Sequence, residues 1–281
     1  MQQSIRLLQT RLQDHYPAGE IKAFIRLIFE RLCGYDTTAL LLRKDTVLPD
    51  ELHQKIEDIA RRLLLDEPIQ YILGEEIFCG RWFYTEPGVL IPRPETEELV
   101  RMIIGETDVP PRKIADLGTG SGCIAITLAL AFPKAETEAW DISPEALRIA
   151  ARNAERHHAP ITFRQQDILR YTPERTERYD LIVSNPPYIC DSEREQMSDN
   201  VLRYEPASAL FVPDNDPLLF YRHIVRIARE TLTPGGKLYF EINERFGDEC
   251  RKMLQQNGFN RCRTLSDCFN KPRFVCAEQP L

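Results

Sequence analysis

The sequence predicts an α/β protein: a mostly parallel seven-stranded sheet with helices on both faces, preceded by a small all-α bundle and a β-hairpin linker. Three observations carry this. From Lys113 onward, short apolar runs alternate with helical periodicity. Residues 1 to about 75 show helical spacing alone. The stretch between is rich in strand formers and turn residues.

In the first segment, 1–75, Ile21, Phe24, Ile25, Ile28, Phe29 and Leu32 recur at helical spacing, and Gly34 stops that helix. A second amphipathic run holds Leu52, Ile56, Ile59, Leu63 and Leu64, with a break at Pro68. His15 and His53 stand alone and read as surface or structural residues. In 76–95, Phe78, Trp82, Phe83, Tyr84, Val89, Leu90 and Ile91 are punctuated by Gly80, Pro87 and Gly88, which reads as a hairpin linker. The remaining segment, 96–281, is the expected catalytic domain. Its first helix is expected from about Glu97 to Ile104. Strands follow at Ile114–Leu117, Thr137–Trp140, Ile161–Arg164, Tyr179–Val183 and Gly236–Ile242. Helices are expected at Cys123–Ala131, after Ser143-Pro144 (N-cap, then first turn) and at Leu218–Thr231. Arg261–Leu265 and Phe274–Ala277 form a closing antiparallel pair.

Composition narrows the function. The chain has 281 residues, 43% of them hydrophobic, and a net charge of −7. An acidic chain gains little from a phosphate backbone, so direct nucleic-acid binding is not expected. The eight cysteines include no C-x-x-C pair, so a zinc or dithiol site has no support and no metal is expected. Free thiols suit a reducing compartment. With no secretory pattern and no apolar run of membrane-spanning length, a cytoplasmic protein that does not enter membranes is expected.

The loop Asp116-Leu117-Gly118-Thr119-Gly120-Ser121-Gly122 lies between the first strand and its helix. Glycines let backbone turn sharply and approach a ligand closely, and the helix N-terminus behind offers free N–H groups. The G-x-G-x-G spacing is not the dinucleotide fingerprint. Alone it could serve several nucleotides, or be a tight turn. Asp141, about 20 residues on at the end of the second strand, is placed to accept both ribose hydroxyls of a nucleoside. Asp167 ends the third strand and is a candidate for an adenine amine, with Ile168 packing on the ring, although Asp is also common at strand-end turns. Nothing resembles a Walker lysine or a pyrophosphate clamp. A nucleoside without phosphates fits, and S-adenosylmethionine is the cofactor read from Gly118, Thr119, Gly120, Ser121, Gly122, Asp141, Asp167, Ile168 and the adjoining Asn185.

The fourth strand runs into Asn185-Pro186-Pro187-Tyr188. Strand C-termini in open α/β sheets carry the ligands, so this turn lies beside the cofactor. An amide or aryl amine lone pair is delocalised and attacks poorly. Two acceptors on its N–H bonds draw the nitrogen toward tetrahedral geometry; the Asn185 side-chain oxygen and the Pro186 carbonyl are the natural pair. Pro187 stiffens the turn, and Tyr188 is expected to stack on the planar group. Catalysis then comes from positioning and electrostatics rather than from a general base.

Asn-Pro-Pro-Tyr resembles the methyltransferases of amino nitrogens in adenine, guanine or glutamine. Pro68-Ile69-Gln70-Tyr71-Ile72-Leu73-Gly74, Val89-Leu90-Ile91-Pro92-Arg93-Pro94-Glu95-Thr96-Glu97 and Tyr204-Glu205-Pro206-Ala207-Ser208-Ala209-Leu210 are similar to segments of the release-factor glutamine N5-methyltransferases. The resemblance runs from about residue 5 to 277, and Ile91 to Glu97 is its most specific part. It implies a Rossmann-like methyltransferase domain and methyl transfer to the glutamine of the Gly-Gly-Gln motif in class I peptide-chain release factors, with S-adenosylhomocysteine as product. It also implies an N-terminal bundle that helps dock the protein substrate. The chain departs from the family pattern at Ile168, often aromatic; at Glu241-Ile242-Asn243, often Glu-Ile-Gly; and over Phe211 to Leu219, often glycine-containing. The alternatives are an adenine-N6 or guanine-N2 nucleic-acid methyltransferase, disfavoured by charge, and an inactive cofactor-binding scaffold.

Overall fold

The computed structural model describes residues 1–281 except Lys44 and Arg175. The chain divides into two compact units, 1–75 with 198–204, and 76–197 with 205–281.

The first unit is helical: α1 (Gln2–Leu12), α2 (Ala18–Cys33), α3 (Thr37–Leu42), α4 (Asp50–Leu63) and α5 (Ile69–Leu73). Gly34 ends α2 in the left-handed region at φ 67°, a conformation glycine adopts without penalty. In α4, Asp50 and Glu51 open the helix and Arg61 and Arg62 close it, which complements the helix dipole. Leu8, Leu12, Ile28, Phe29 and Ile56 are fully buried or nearly so and form one core. Both histidines singled out in this segment have local partners: His53 meets Ser4 at 2.7 Å and His15 meets Asp66 at 2.7 Å. Later in the chain α9 (Asp199–Tyr204) belongs to this unit, its Tyr204 hydroxyl donating to the Leu65 carbonyl at 2.8 Å.

A hairpin of β1 (Glu75–Phe78) and β2 (Arg81–Tyr84) turns on Cys79 and Gly80, both at positive φ, as a two-residue hairpin turn of primed type requires. In the second unit follow α6 (Pro94–Gly105), β3 (Lys113–Leu117), α7 (Cys123–Ala131), β4 (Glu136–Asp141), α8 (Pro144–Arg156), β5 (Ile161–Gln165) and β6 (Tyr179–Ser184). Then come β7 (Ile189–Cys190), α10 (Ala207–Leu210), β8 (Phe211–Val212), α11 (Leu219–Thr231), β9 (Leu232–Glu241), α12 (Gly247–Gln256), β10 (Asn260–Ser266) and β11 (Pro272–Glu278).

The sheet runs β10-β11-β9-β6-β3-β4-β5. The pairs from β9 to β5 are parallel, and β11 is antiparallel to both β9 and β10. The expected fold class therefore holds. Ser143 caps α8 by accepting from Ala146 N, with Pro144 at the first position. Two differences have local causes. Helix α6 begins at Pro94 rather than near Glu97, because proline is suited to the first helical position. Strand β9 begins at Leu232 rather than Gly236, since the Thr233-Pro234-Gly235-Gly236 segment is absorbed as an irregularity in its pairing with β6. Helix α12 was not legible among the charged residues after Phe246.

Strand order reverses at β3, with β4 on one side and β6 on the other. This is the topological switch point, where open α/β sheets hold ligands. Aligned pairing of Asp116 with Val183 brings the glycine loop after β3 beside the turn after β6.

Candidate active site

A cavity of about 270 Å³ lies over the strand C-termini in the second unit. Gly118, Thr119, Gly120, Ser121, Asp141, Asp167, Ile168, Asn185, Pro186 and Pro187 all line it. Two predicted residues, Gly122 and Tyr188, are not among the lining residues.

The glycine loop is built by backbone. Gly118 N and Thr119 N both donate to the Trp140 carbonyl, at 2.9 and 2.8 Å. Gly118 and Gly120 have positive φ, and a Cβ on either would meet open space. Their requirement is conformational, and it leaves the backbone bare toward the cavity. Gly122 has another reason: at φ +82° a Cβ would lie 3.0 Å from both Ala150 Cβ and Ile126 Cδ1. It closes the packing of α7 on α8, behind the cavity.

Asp141 ties the loop to β4. Its Oδ2 accepts from Gly120 N and its Oδ1 from Ser143 N, both at 2.9 Å. Burial pushes this carboxyl above the usual carboxylate range, and the backbone N–H groups oppose the rise. Each oxygen keeps a further lone pair for a ligand. Asp167 accepts from Leu169 N at 2.9 Å, so it stabilises its own turn as well as facing the cavity. Ile168 is 8% exposed and also packs with Trp140 and Tyr171.

Asp116 lies behind the loop with no exposed surface. Its Oδ2 accepts from Thr119 Oγ1 at 2.7 Å and Ala125 N at 3.2 Å. Burial, only partly opposed by those two donors, pushes its pKa up to about 7. The fold therefore prefers the protonated carboxyl. Its contribution to stability is complete below about pH 4, where the unfolded carboxyl titrates, and is lost as pH rises toward about 7. Asp116→Asn removes that dependence. Urea unfolding across this range is expected to show wild-type stability falling relative to the variant by up to about 1.4 kcal/mol per pH unit. Parallel curves would contradict this.

At the other wall, Pro186 and Pro187 follow Asn185 at the end of β6. The pairing of Ser184 with Phe240 sets Asn185 beside Glu241 of β9. Glu241 is 1% exposed. Its Oε2 accepts from Thr96 Oγ1 at 2.6 Å, and its Oε1 from the Tyr188 hydroxyl at 3.0 Å. Burial raises the Glu241 carboxyl, and these hydroxyls oppose the rise. Thr96, 3% exposed at the start of α6, also accepts from Asn185 Nδ2 at 3.1 Å. Tyr188 was expected over the acceptor group. Its hydroxyl donates to Glu241, and its ring packs against the buried core of the sheet.

The segment Ile91-Pro92-Arg93 forms the cavity's rim. Glu205, its side chain 1% exposed, accepts from Ile91 N at 3.1 Å and pairs with Arg93 at 2.5 Å. Glu205 and the Ile-Pro-Arg segment are thus parts of one clamp. Thr96, Glu205 and Glu241 carry this wall, yet sequence reasoning missed their work. The available signal was their place in family-like motifs; local periodicity assigns them no partner.

A family model described as the methyltransferase small domain matches residues 84–206, and one described as the PrmC N-terminal domain matches residues 3–74. The two matches together follow the division into a helical N-terminal segment and a methyltransferase-like domain. A solved methyltransferase from Pyrococcus furiosus shares the fold, with a TM-score of 0.55 at 16% identity over 80% of this chain and 100% of that one. A release factor glutamine methyltransferase of Bacteroides thetaiotaomicron is 47% identical over 97% of this chain and 98% of its own. One of Flavobacterium psychrophilum is 42% identical over 94% of each. The chain belongs to the release factor glutamine methyltransferase family.

Proposed function

We propose that this protein methylates the side-chain amide nitrogen of a glutamine, that of the Gly-Gly-Gln motif in class I peptide-chain release factors, using S-adenosylmethionine. One observation carries the reading: a single cavity runs from the Asp141 carboxylate across the bare glycine loop to Asn185 and Pro186. The donor set suits a nucleoside without phosphates. Arg93 is the one Lys or Arg among the described lining residues, and it is already paired with Glu205.

Asp141 would accept the ribose hydroxyls, the backbone of Gly118 to Gly120 would lie along the ligand, and Ile168 would cover the adenine. Asp167 faces the exocyclic amine in the same reading. When bound, S-adenosylmethionine supplies an activated methyl group: the C–S bond breaks, a C–N bond forms, and one amide proton leaves to solvent. Asn185 Oδ1 and the Pro186 carbonyl accept the two amide N–H bonds, localise the lone pair and stabilise the charge that grows on nitrogen. Pro187 limits the freedom of that turn. Tyr188, its hydroxyl held by Glu241, would stack its ring on the planar amide.

Among the described residues, no helix is long and apolar enough to cross a membrane, no cluster could hold a metal ion, and all eight cysteines are free thiols. A cytoplasmic setting completes the reading. The test is transfer of labelled methyl from S-adenosylmethionine to a purified class I release factor, beside the same factor with its motif glutamine changed to glutamate. Label in the first alone is expected. Equal labelling of both, or transfer only to duplex DNA or structured RNA, would overturn the substrate assignment.

A further inference from the structure

We propose that Thr96 and Glu241 are positioning residues that set which end of the Asn185 amide faces the acceptor nitrogen. The inference rests on the functional reading above and adds the device that makes Asn185 competent.

A primary amide carries a donor end and an acceptor end of nearly equal size, and a half-turn exchanges them. Only the oxygen end can accept from a substrate amide. With the nitrogen end forward, two N–H groups would oppose two N–H groups. A group of the protein must therefore choose the orientation before the substrate arrives.

The choice follows from counting protons. Both Glu241 oxygens act as acceptors, Oε2 from the Thr96 hydroxyl and Oε1 from that of Tyr188. Thr96 has one hydroxyl proton, and at 2.6 Å it goes to Glu241 Oε2. Thr96 Oγ1 then presents only lone pairs to Asn185, 3.1 Å away. The Asn185 NH2 group alone can answer them, so Nδ2 turns to Thr96. Among the described residues nothing donates to Oδ1, and Asn185 lines the cavity. The Tyr188 hydroxyl occupies Glu241 Oε1 at 3.0 Å, which leaves Oε2 to Thr96. The parts come from three places: α6, the end of β9 and the turn after β6. Thr96 and Glu241 are 145 residues apart and both buried.

The test is a kinetic series on the full chain with a release factor and S-adenosylmethionine. Thr96→Val keeps the shape and removes the hydroxyl. It is expected to lower kcat by roughly 10- to 100-fold, the range for losing one charge-stabilising contact or its orientation. Affinity for S-adenosylmethionine, measured by calorimetry, should stay within about twofold of wild type. Thr96→Ser restores the hydroxyl and most of the rate. If Thr96→Val does not fold, Thr96→Cys, a weak donor and weak acceptor of similar volume, is expected to give an intermediate loss.

The second arm combines each substitution with Asn185→Ala. A residue that works through Asn185 costs nothing further once Asn185 is gone. A kcat near wild type for Thr96→Val or Thr96→Cys, or a loss that multiplies with that of Asn185→Ala, would overturn the relay and leave the methyltransferase reading standing. A wild-type protein that leaves the release factor unmethylated removes both.

Discussion

Asn185→Ala is expected to lower the rate of methyl transfer by about 10²–10³, the range for removing one preorganised group from a site of charge development. Cofactor affinity should change by no more than about twofold, because the effect falls on the transition state. The asymmetry follows from the structure. Asn185 sits at the end of β6, its Nδ2 held by Thr96, while the carboxylate that secures the glycine loop is Asp141 on β4. The two walls of the cavity are built by different strands, so one can fail without the other. Pre-steady-state transfer rates and calorimetric cofactor affinity on the same preparation give both quantities. Equal loss of rate and affinity would contradict the assignment, since Asn185 would then belong to the cofactor wall.

The converse is expected of Asp141→Ala. Its cofactor affinity should weaken by roughly 1.5–3 kcal/mol, the value of hydrogen bonds to a charged group. Two effects contribute. The ribose loses its acceptor, and Gly120 N loses the 2.9 Å bond that fixes the loop beside β4. Asp141→Asn keeps one acceptor oxygen and should lose less. Titration of each variant with S-adenosylmethionine checks this, and an affinity unchanged in Asp141→Ala would exclude the ribose role.

Much of the second unit was legible because its local signals agree. Helix α7 spans the expected Cys123–Ala131, and Ser143-Pro144 starts α8 as cap and first-turn proline. The closing pair proved antiparallel. Its insertion of β11 between β9 and β10 could not be read, because alternation identifies strands and not their neighbours. The same limit applies at the site. Gly118 and Asp141 are close in sequence within one βαβ unit, so spacing reveals them. Thr96 and Glu241 meet across 145 residues, and no local pattern announces such a contact. Tyr188 shows the same limit: no local pattern announces that its hydroxyl donates to the buried Glu241 carboxyl. Charged residues in a buried wall have to be explained by their partners, and the partners are tertiary.

The most direct test of the central claim is tandem mass spectrometry of a class I release factor after incubation with this protein and S-adenosylmethionine. The account predicts the added mass of one methyl group on the side-chain amide of the Gly-Gly-Gln glutamine, present with wild-type protein and absent or much reduced with Asn185→Ala. An unmodified glutamine despite confirmed cofactor binding, or a methyl group on any other residue, would contradict it.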